Sequence, residues 1–207
     1  MNRRSLLTRF DHQEYILRLL FKPEGGYLAA CVDRAYLDVR RRIKGLSQVT
    51  ERADLEEQAK RLVRELLVDL QSGKVSIDGE QAYDRWHQAA CRGLQTHFSD
   101  FGYAGLTVGH AQRWVNQSLR YIYALGEDRV AGFGDLYPLC HAPLDLALTN
   151  ALADYGAPKL SVVWSRLDRY DEYLAYQCWI RGRFRRVPLD VDLLIGLGKD
   201  PEGTLTV

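Results

Sequence analysis

The chain has 207 residues, of which 46% are hydrophobic and 27% are charged, and its formal net charge is +1. This composition excludes an intrinsically disordered chain, and the length is sufficient to bury a sizeable core. The overall charge by itself does not indicate a nucleic-acid-binding protein.

Neither a membrane span nor a secretion signal is predicted. No apolar run approaches the length of a transmembrane helix, and the basic N-terminal stretch, residues 1–13, meets further charges too early for a signal peptide. The four cysteines are widely spaced without a Cys-x-x-Cys pair, which favours buried free thiols over a zinc site. We therefore expect a cytoplasmic protein with no membrane partner, no metal site and no cofactor.

Nearly the whole chain carries the pattern of amphipathic helices. Apolar residues recur every three or four positions, and Asp, Thr, Gly and Pro punctuate the stretches as helix caps and breakers. Strand signals are scarce. Helices are predicted over residues 11–21, 27–43, 50–71, 78–98, 108–125, 143–155, 168–180 and 188–197. The sequence thus predicts one all-α domain, residues 1–207, of seven or eight helices, in which two lobes can meet in a cleft near residues 100–107.

Positive charge is concentrated in two segments. Residues 159–186 contain seven cationic and three acidic side chains, and residues 33–44 contain five cationic and two acidic ones. Arginine outnumbers lysine by 22 to 6, and the planar guanidinium suits phosphate recognition. The alternative is that both segments are solvated helix faces. For the cluster Arg40–Arg42, the favourable interaction of cations with the C-terminal end of a helix is a sufficient explanation.

The helix predicted from Val108 to Leu125 has an unusual second face. One face is an apolar stripe, whereas the other presents an imidazole, amides and guanidinium groups with no acidic residue. Such groups hold polar ligands, so this face is predicted to line a cleft. The alternative is a helix packed on both sides, with amides that satisfy neighbouring backbone groups. The polar residues concerned are His110, Gln112, Arg113, Asn116, Gln117 and Arg120.

Asp145 follows Pro143 by two positions at the start of a predicted helix. Proline is favoured in the first turn of a helix, and it limits the directions that the carboxylate can take. The carboxylate is also expected close to the partial positive charge of the helix start. Capping of the helix alone can explain such an aspartate, since the same Pro-Leu-Asp motif recurs at Pro188-Leu189-Asp190. Asp145 is nevertheless our candidate for the chemical centre.

The helix that begins after Gly105, followed by Pro-x-Asp at the start of a later helix, resembles the helix-hairpin-helix DNA glycosylase superfamily. The chain is most similar to the archaeal-type branch of the 8-oxoguanine glycosylase group, over residues 105–150. The resemblance places Asp145 at the catalytic aspartate and Arg113 at the catalytic lysine, 32 residues apart. Arginine cannot form a Schiff base, and residues 108–125 contain no lysine. The Gly-x-Gly motif that is usual in the hairpin of this superfamily is missing, and only a remnant is present, Val108-Gly109-His110.

The resemblance implies a monofunctional DNA glycosylase that removes a modified base and leaves an abasic site, in DNA repair or in phage defence. Asp145 and Arg113 are the expected catalytic residues. The side chains expected to bind the extruded nucleotide are His110, Gln112, Asn116, Gln117, Arg120 and Trp164. Further aromatic candidates for stacking on the base are Trp114, Tyr170 and Tyr173. The arginines expected to contact DNA phosphates are Arg166, Arg181, Arg183, Arg185 and Arg186. The resemblance implies a damaged purine as the substrate, and a bulky modified pyrimidine is the alternative for an enzyme of phage defence.

Two other classes of function fit the sequence. Arg92 and His97 have the Arg-x4-His spacing of HEPN-type ribonucleases, which are all-α and cleave RNA by acid–base chemistry between two subunits. Gly93 departs from the polar residue that usually follows the arginine in those families. The third class is a non-catalytic helical adaptor or nucleic-acid-binding protein. In that case Asp145 acts only as a helix cap.

Overall fold

The computed structural model describes residues 7–203, so the ends of the predicted domain, residues 1–6 and 204–207, lie outside the described residues. The described part contains eight α-helices and no strand, which confirms the all-α prediction. The helices are Arg9–Phe21 (α1), Tyr27–Arg40 (α2), Arg52–Gln71 (α3), Gly79–Asp100 (α4), Val108–Leu125 (α5), Leu146–Ala153 (α6), Tyr170–Phe184 (α7) and Pro188–Gly196 (α8). Short 3-10 helices at Leu46–Gln48, Gly134–Leu139 and Trp164–Arg166 lie in the connections.

Helix α6 begins three residues later than the sequence predicts. Pro143 does not open it, and Asp145 is its extended N-cap residue. The Asp145 carboxylate accepts a hydrogen bond from the backbone N–H of Leu148 at 2.8 Å. Because this bond satisfies an N–H that has no partner within the helix, the carboxylate sets where the helix starts.

Helix α5 is the centre of the fold. Thirteen of its 18 residues are buried, and it packs mainly against α2 and then against α4. The indole of Trp114 donates to the Val32 carbonyl at 3.1 Å, and its ring lies 4.6 Å from the ring of Tyr36. One continuous apolar core contains buried residues from both sides of positions 100–107. The described residues therefore share one core and do not divide into two lobes at that point.

Gly109 allows the start of α5 to approach the segment that follows α6. A Cβ atom built on Gly109 would lie 1.8 Å from the carbonyl oxygen of Trp164. The Gly109 N–H donates to the Leu167 carbonyl at 2.8 Å. Only glycine permits this approach, and it fixes the 3-10 helix Trp164–Arg166 against α5.

Two further predictions can be compared with the described residues. Among residues 7–203, no helix combines the length and the apolar character needed to cross a membrane. All four cysteines are free thiols, but Cys178 is exposed, so the prediction of buried thiols holds only for Cys31, Cys91 and Cys140.

Candidate active site

A cavity of about 560 Å³ lies between the ends of α2, α5 and α6 and the 3-10 helix that contains Trp164. Of the residues singled out in the sequence, Arg113, Asp145 and Trp164 line it. Its polar and aromatic lining comprises Asp38, Arg42, Arg113, Asp145, Asn150, Trp164 and Ser165. Its volume falls within the range of about 300–1,000 Å³ that is usual for small-molecule sites.

Asp145 and Arg113 form an ion pair in the wall of this cavity. Arg113 Nη1 lies 2.7 Å from Asp145 Oδ2, while Oδ1 accepts from the Leu148 N–H. The two side chains are 15% and 25% exposed, so both are shielded but still reached by solvent. The Arg113 guanidinium also lies over the ring of Trp164, with its Cζ atom 5.4 Å from the ring centroid. Two donors and one aromatic face therefore fix the positions of this pair.

A second ion pair stands behind the first. Arg120 Nη1 lies 2.7 Å from Asp192 Oδ2. Burial raises the pKa of Asp192, and the nearby negative charge of Asp145 acts in the same direction, whereas Arg120 opposes it. Arg120 therefore does not face the cavity as predicted, because its charge is used on Asp192. No sequence pattern predicts this role for Asp192, which has apolar neighbours on both sides in α8.

The amides of α5 do not line the cavity, which corrects the prediction for Gln112 and Asn116. Gln112 is fully buried and pairs with Leu144 in both directions, with Nε2 3.0 Å from the Leu144 carbonyl oxygen and Oε1 3.2 Å from its nitrogen. Asn116 Nδ2 donates to the Tyr173 hydroxyl at 2.8 Å. The alternative interpretation, amides that satisfy neighbouring backbone, is the one observed. Gln112 fixes the residue immediately before Asp145 and so acts as a positioning residue.

His110 and Gln117 are also engaged inside the protein and do not line the cavity at Asp145. His110 belongs to a capping box with Thr107, and its Nε2 lies 3.2 Å from the Arg42 carbonyl oxygen. Gln117, with its amide oxygen turned towards Arg120, accepts from Nε and Nη2 at 3.1 and 3.2 Å. Both predictions as substrate-binding residues are corrected by these contacts. Trp164 does line the cavity, whereas Trp114, Tyr170 and Tyr173 are buried in the core.

The predicted DNA-binding arginines fall into two groups. Arg181 pairs with Asp84 at 3.0 Å, Arg183 pairs with Glu202, and Arg186 donates to the Pro201 carbonyl at 2.9 Å and to that of Gly203 at 2.6 Å. These three stabilise the fold and the C-terminal segment, so the prediction that they bind phosphate is corrected. Arg166 and Arg185 are exposed, and only Arg166 lies near the cavity.

The Asp84 carboxylate belongs to a buried polar network below the site. His141 Nε2 lies 2.8 Å from Asp84 Oδ1, and Arg181 Nη2 lies 3.0 Å from the same oxygen. Burial lowers the pKa of His141 to about 4, so the neutral ring donates its Nε2–H to Asp84. Burial opposes ionisation of Asp84, but the hydrogen bonds from His141 and Arg181 outweigh it and lower its pKa to about 2. This network joins α4 and α7 to the segment that leads to Asp145.

The residues of the ribonuclease alternative lie elsewhere. Arg92 is exposed on α4, and His97 Nε2 lies 3.3 Å from the Leu55 carbonyl oxygen. In residues 7–203, no group of three or more His, Cys, Asp or Glu side chains is arranged to hold a metal ion. No protein family, curated protein or solved structure matches the chain. The resemblance to DNA glycosylases therefore stays a prediction.

Proposed function

We propose that the protein is a monofunctional DNA glycosylase that hydrolyses the N-glycosidic bond of a modified nucleotide. The observation that supports it best is the Asp145 carboxylate, fixed by two donors in the wall of a cavity large enough for an extruded nucleotide. A base must leave the helical stack before an enzyme can act on its glycosidic bond, and such a base needs a pocket of this kind.

The chemistry follows from the charge that develops on the sugar. As the bond from C1′ to the base nitrogen breaks, its electron pair leaves with the base and positive charge builds on the sugar. The Asp145 carboxylate stabilises this charge. A carboxylate offers about four acceptor positions, and Arg113 and Leu148 use two of them. A remaining position can accept a proton from the attacking water, whose oxygen bonds to C1′, while the departing base takes up a proton from solvent.

Arg113 limits the reaction to base removal. Its guanidinium is charged at any ordinary pH and cannot attack the sugar to form a Schiff base. Its ion pair with Asp145 instead keeps the carboxylate in one position, 2.7 Å from Nη1. The expected product is an abasic site in an intact strand. The polar lining from Arg113 and Asn150 can bind the base, and the volume can accept a damaged purine or a bulky modified pyrimidine.

The proposal is tested by incubating the protein with duplexes that carry assorted modified bases, and then heating in alkali to cut the strand at abasic sites. Asp145→Asn is the informative variant because asparagine caps helices about as well as aspartate but lacks the charge. We expect strand cleavage with the wild type and a loss of at least about 100-fold with this variant. Asp190→Asn is the matched control, since it alters the other Pro-Leu-Asp segment, where Tyr137 donates to the carboxylate. Equal activity of the wild type and Asp145→Asn would refute the proposal.

The non-catalytic alternative also draws on an observation, because Asp145 is already used as the N-cap of α6. If capping were its only role, Asp145→Ala would lower the free energy of unfolding by about 0.5–2 kcal/mol. Asp145→Asn would then have little effect, and no modified duplex would yield abasic sites. The same alkali assay therefore separates the two functions.

A further inference from the structure

Two more concavities adjoin the candidate active site, and cations dominate their lining. Their volumes are about 670 and 540 Å³, and Arg42 lines both of them as well as the cavity at Asp145. We call these two concavities the cationic groove, and its charged lining outside the Asp145 cavity comprises Arg34, Arg40, Arg41, Lys44 and Arg166. The carboxylates that line the three concavities are those of Asp38 and Asp145.

Four cations of this region have no partner within the described part of the chain. The side chains of Arg41, Arg42, Lys44 and Arg166 are exposed and make no ion pair or hydrogen bond with another residue in positions 7–203. Like charges brought together in this way repel one another, so their placement favours an anionic ligand that neutralises them.

The helix dipole favours cations at the end of α2, but the cationic side chains there do not cap the last carbonyl groups of the helix. Cations that cap a helix C-terminus can bond its last carbonyl groups. Here the carbonyls of Val39 and Arg40 accept backbone N–H groups instead, from Arg42 at 2.8 Å and from Ile43 at 3.2 Å. The guanidinium groups of Arg41 and Arg42 are therefore left free to bind a ligand.

The spacing of the cations suits a polymer with repeating phosphates. Arg34 in α2 and Arg41, the C-cap residue of that helix, are seven residues apart, which corresponds to about 10 Å along the helix axis. That distance equals about three base steps of B-DNA at 3.4 Å each. Arg166 borders the groove from another element, the 3-10 helix that Gly109 fixes against α5. Guanidinium groups bind phosphate with two parallel hydrogen bonds.

We propose that the cationic groove binds the phosphodiester backbone of DNA beside the nucleotide that enters the Asp145 cavity. The entry of that nucleotide into the cavity rests on the proposed function. The arginines predicted from the sequence to contact DNA are Arg166, which borders this groove, and four at residues 181–186, most of which are engaged within the fold. The groove instead continues directly from the cavity through Arg42.

The test measures binding of a fluorescent, unmodified 20-base-pair duplex by anisotropy at several NaCl concentrations. The variant Arg41→Ala/Lys44→Ala/Arg166→Ala removes three groove cations, none of which lines the Asp145 cavity. The control Arg61→Ala/Arg85→Ala/Arg92→Ala removes three exposed arginines outside the groove and so causes the same loss of charge. Thermal unfolding of both variants, followed by circular dichroism, verifies that they fold.

If all three groove cations contact phosphates, the slope of log Kd against log salt falls by about 2.7, since each contact contributes about 0.9. Affinity at 0.1 M salt then falls by two to three orders of magnitude, while the control triple variant changes it by less than tenfold. The proposal would be overturned by equal losses of DNA affinity in the two variants or by no loss in the groove variant. Displacement of the labelled DNA by poly-glutamate as readily as by unlabelled DNA would also overturn it. Binding through the groove without base excision from any modified duplex would refute the proposed function alone.

Discussion

Gly109→Ala tests whether the close approach of α5 to the Trp164 carbonyl builds the site. The added Cβ atom would lie 1.8 Å from that oxygen, and ordinary contacts begin at 3.4 Å, so the segment must move by about 1.6 Å. Overpacking costs about 1–3 kcal/mol, and loss of the Gly109–Leu167 hydrogen bond costs about 0.5–1.5 kcal/mol. The better helix propensity of alanine returns at most about 1 kcal/mol. The net expectation is a loss of about 2 kcal/mol in the free energy of unfolding.

The same movement displaces Trp164 and the Arg113 guanidinium above it, so catalysis suffers as well. A misplacement of about 1 Å can reduce a rate by about 100-fold. Gly93→Ala is the matched control, because Gly93 lies inside α4 with nothing within 4 Å of its added Cβ atom. That variant should gain up to about 1 kcal/mol and keep full activity. Urea unfolding and single-turnover base release measure both effects, and a Gly109→Ala protein as stable and active as Gly93→Ala would refute the reasoning.

Two other predictions concern the support of Asp145 and the buried network below it. Gln112→Ala leaves the buried N–H and carbonyl of Leu144 without their side-chain partner, which lowers the free energy of unfolding by about 2–5 kcal/mol. It also lowers the rate of base release, because Leu144 immediately precedes Asp145. Gln177→Ala removes the corresponding two hydrogen bonds from Ala142. It should therefore lose about as much free energy of unfolding in urea as Gln112→Ala, but keep the wild-type rate of base release. Burial lowers the pKa of His141 from 6.5 to about 4, so the unfolded chain binds more protons in this window, and His141 contributes a loss of about 3 kcal/mol in stability as pH drops from 6.5 to 4. Burial also lowers the pKa values of His87 and His110, which add to this slope. His141→Gln should flatten that slope in pH-dependent urea unfolding, and an unchanged slope would contradict the assignment.

The helices could be predicted because the apolar side chains that they bury recur every three or four residues in the sequence. The start of α6 was misplaced, since the preference of Pro143 for a first turn was overridden by the carboxylate cap of Asp145. Asp145 pairs with Arg113, which lies 32 residues earlier in the chain. Its dual use as cap and cavity wall is visible only in three dimensions.

The roles of the polar residues were harder to predict because their partners are distant in the chain. Gln112 and Asn116 belong to an unusually polar helix face, but the sequence cannot distinguish a wet cleft from a buried network with Leu144 and Tyr173. Likewise, Arg181 belongs to a basic segment whose charge is neutralised by Asp84 of α4. The two basic segments that contain the groove cations are apparent in the sequence, but only folding brings Arg166 to the cations at the end of α2.

The most direct test of the central claim is single-turnover release of the free base, measured by mass spectrometry with protein in excess over a modified duplex. The account predicts that the wild type releases the base and leaves the strand intact. It also predicts that Asp145→Asn binds the duplex with similar affinity but releases the base at least about 100-fold more slowly. Release at the wild-type rate by Asp145→Asn would contradict the assignment of Asp145 as the catalytic carboxylate.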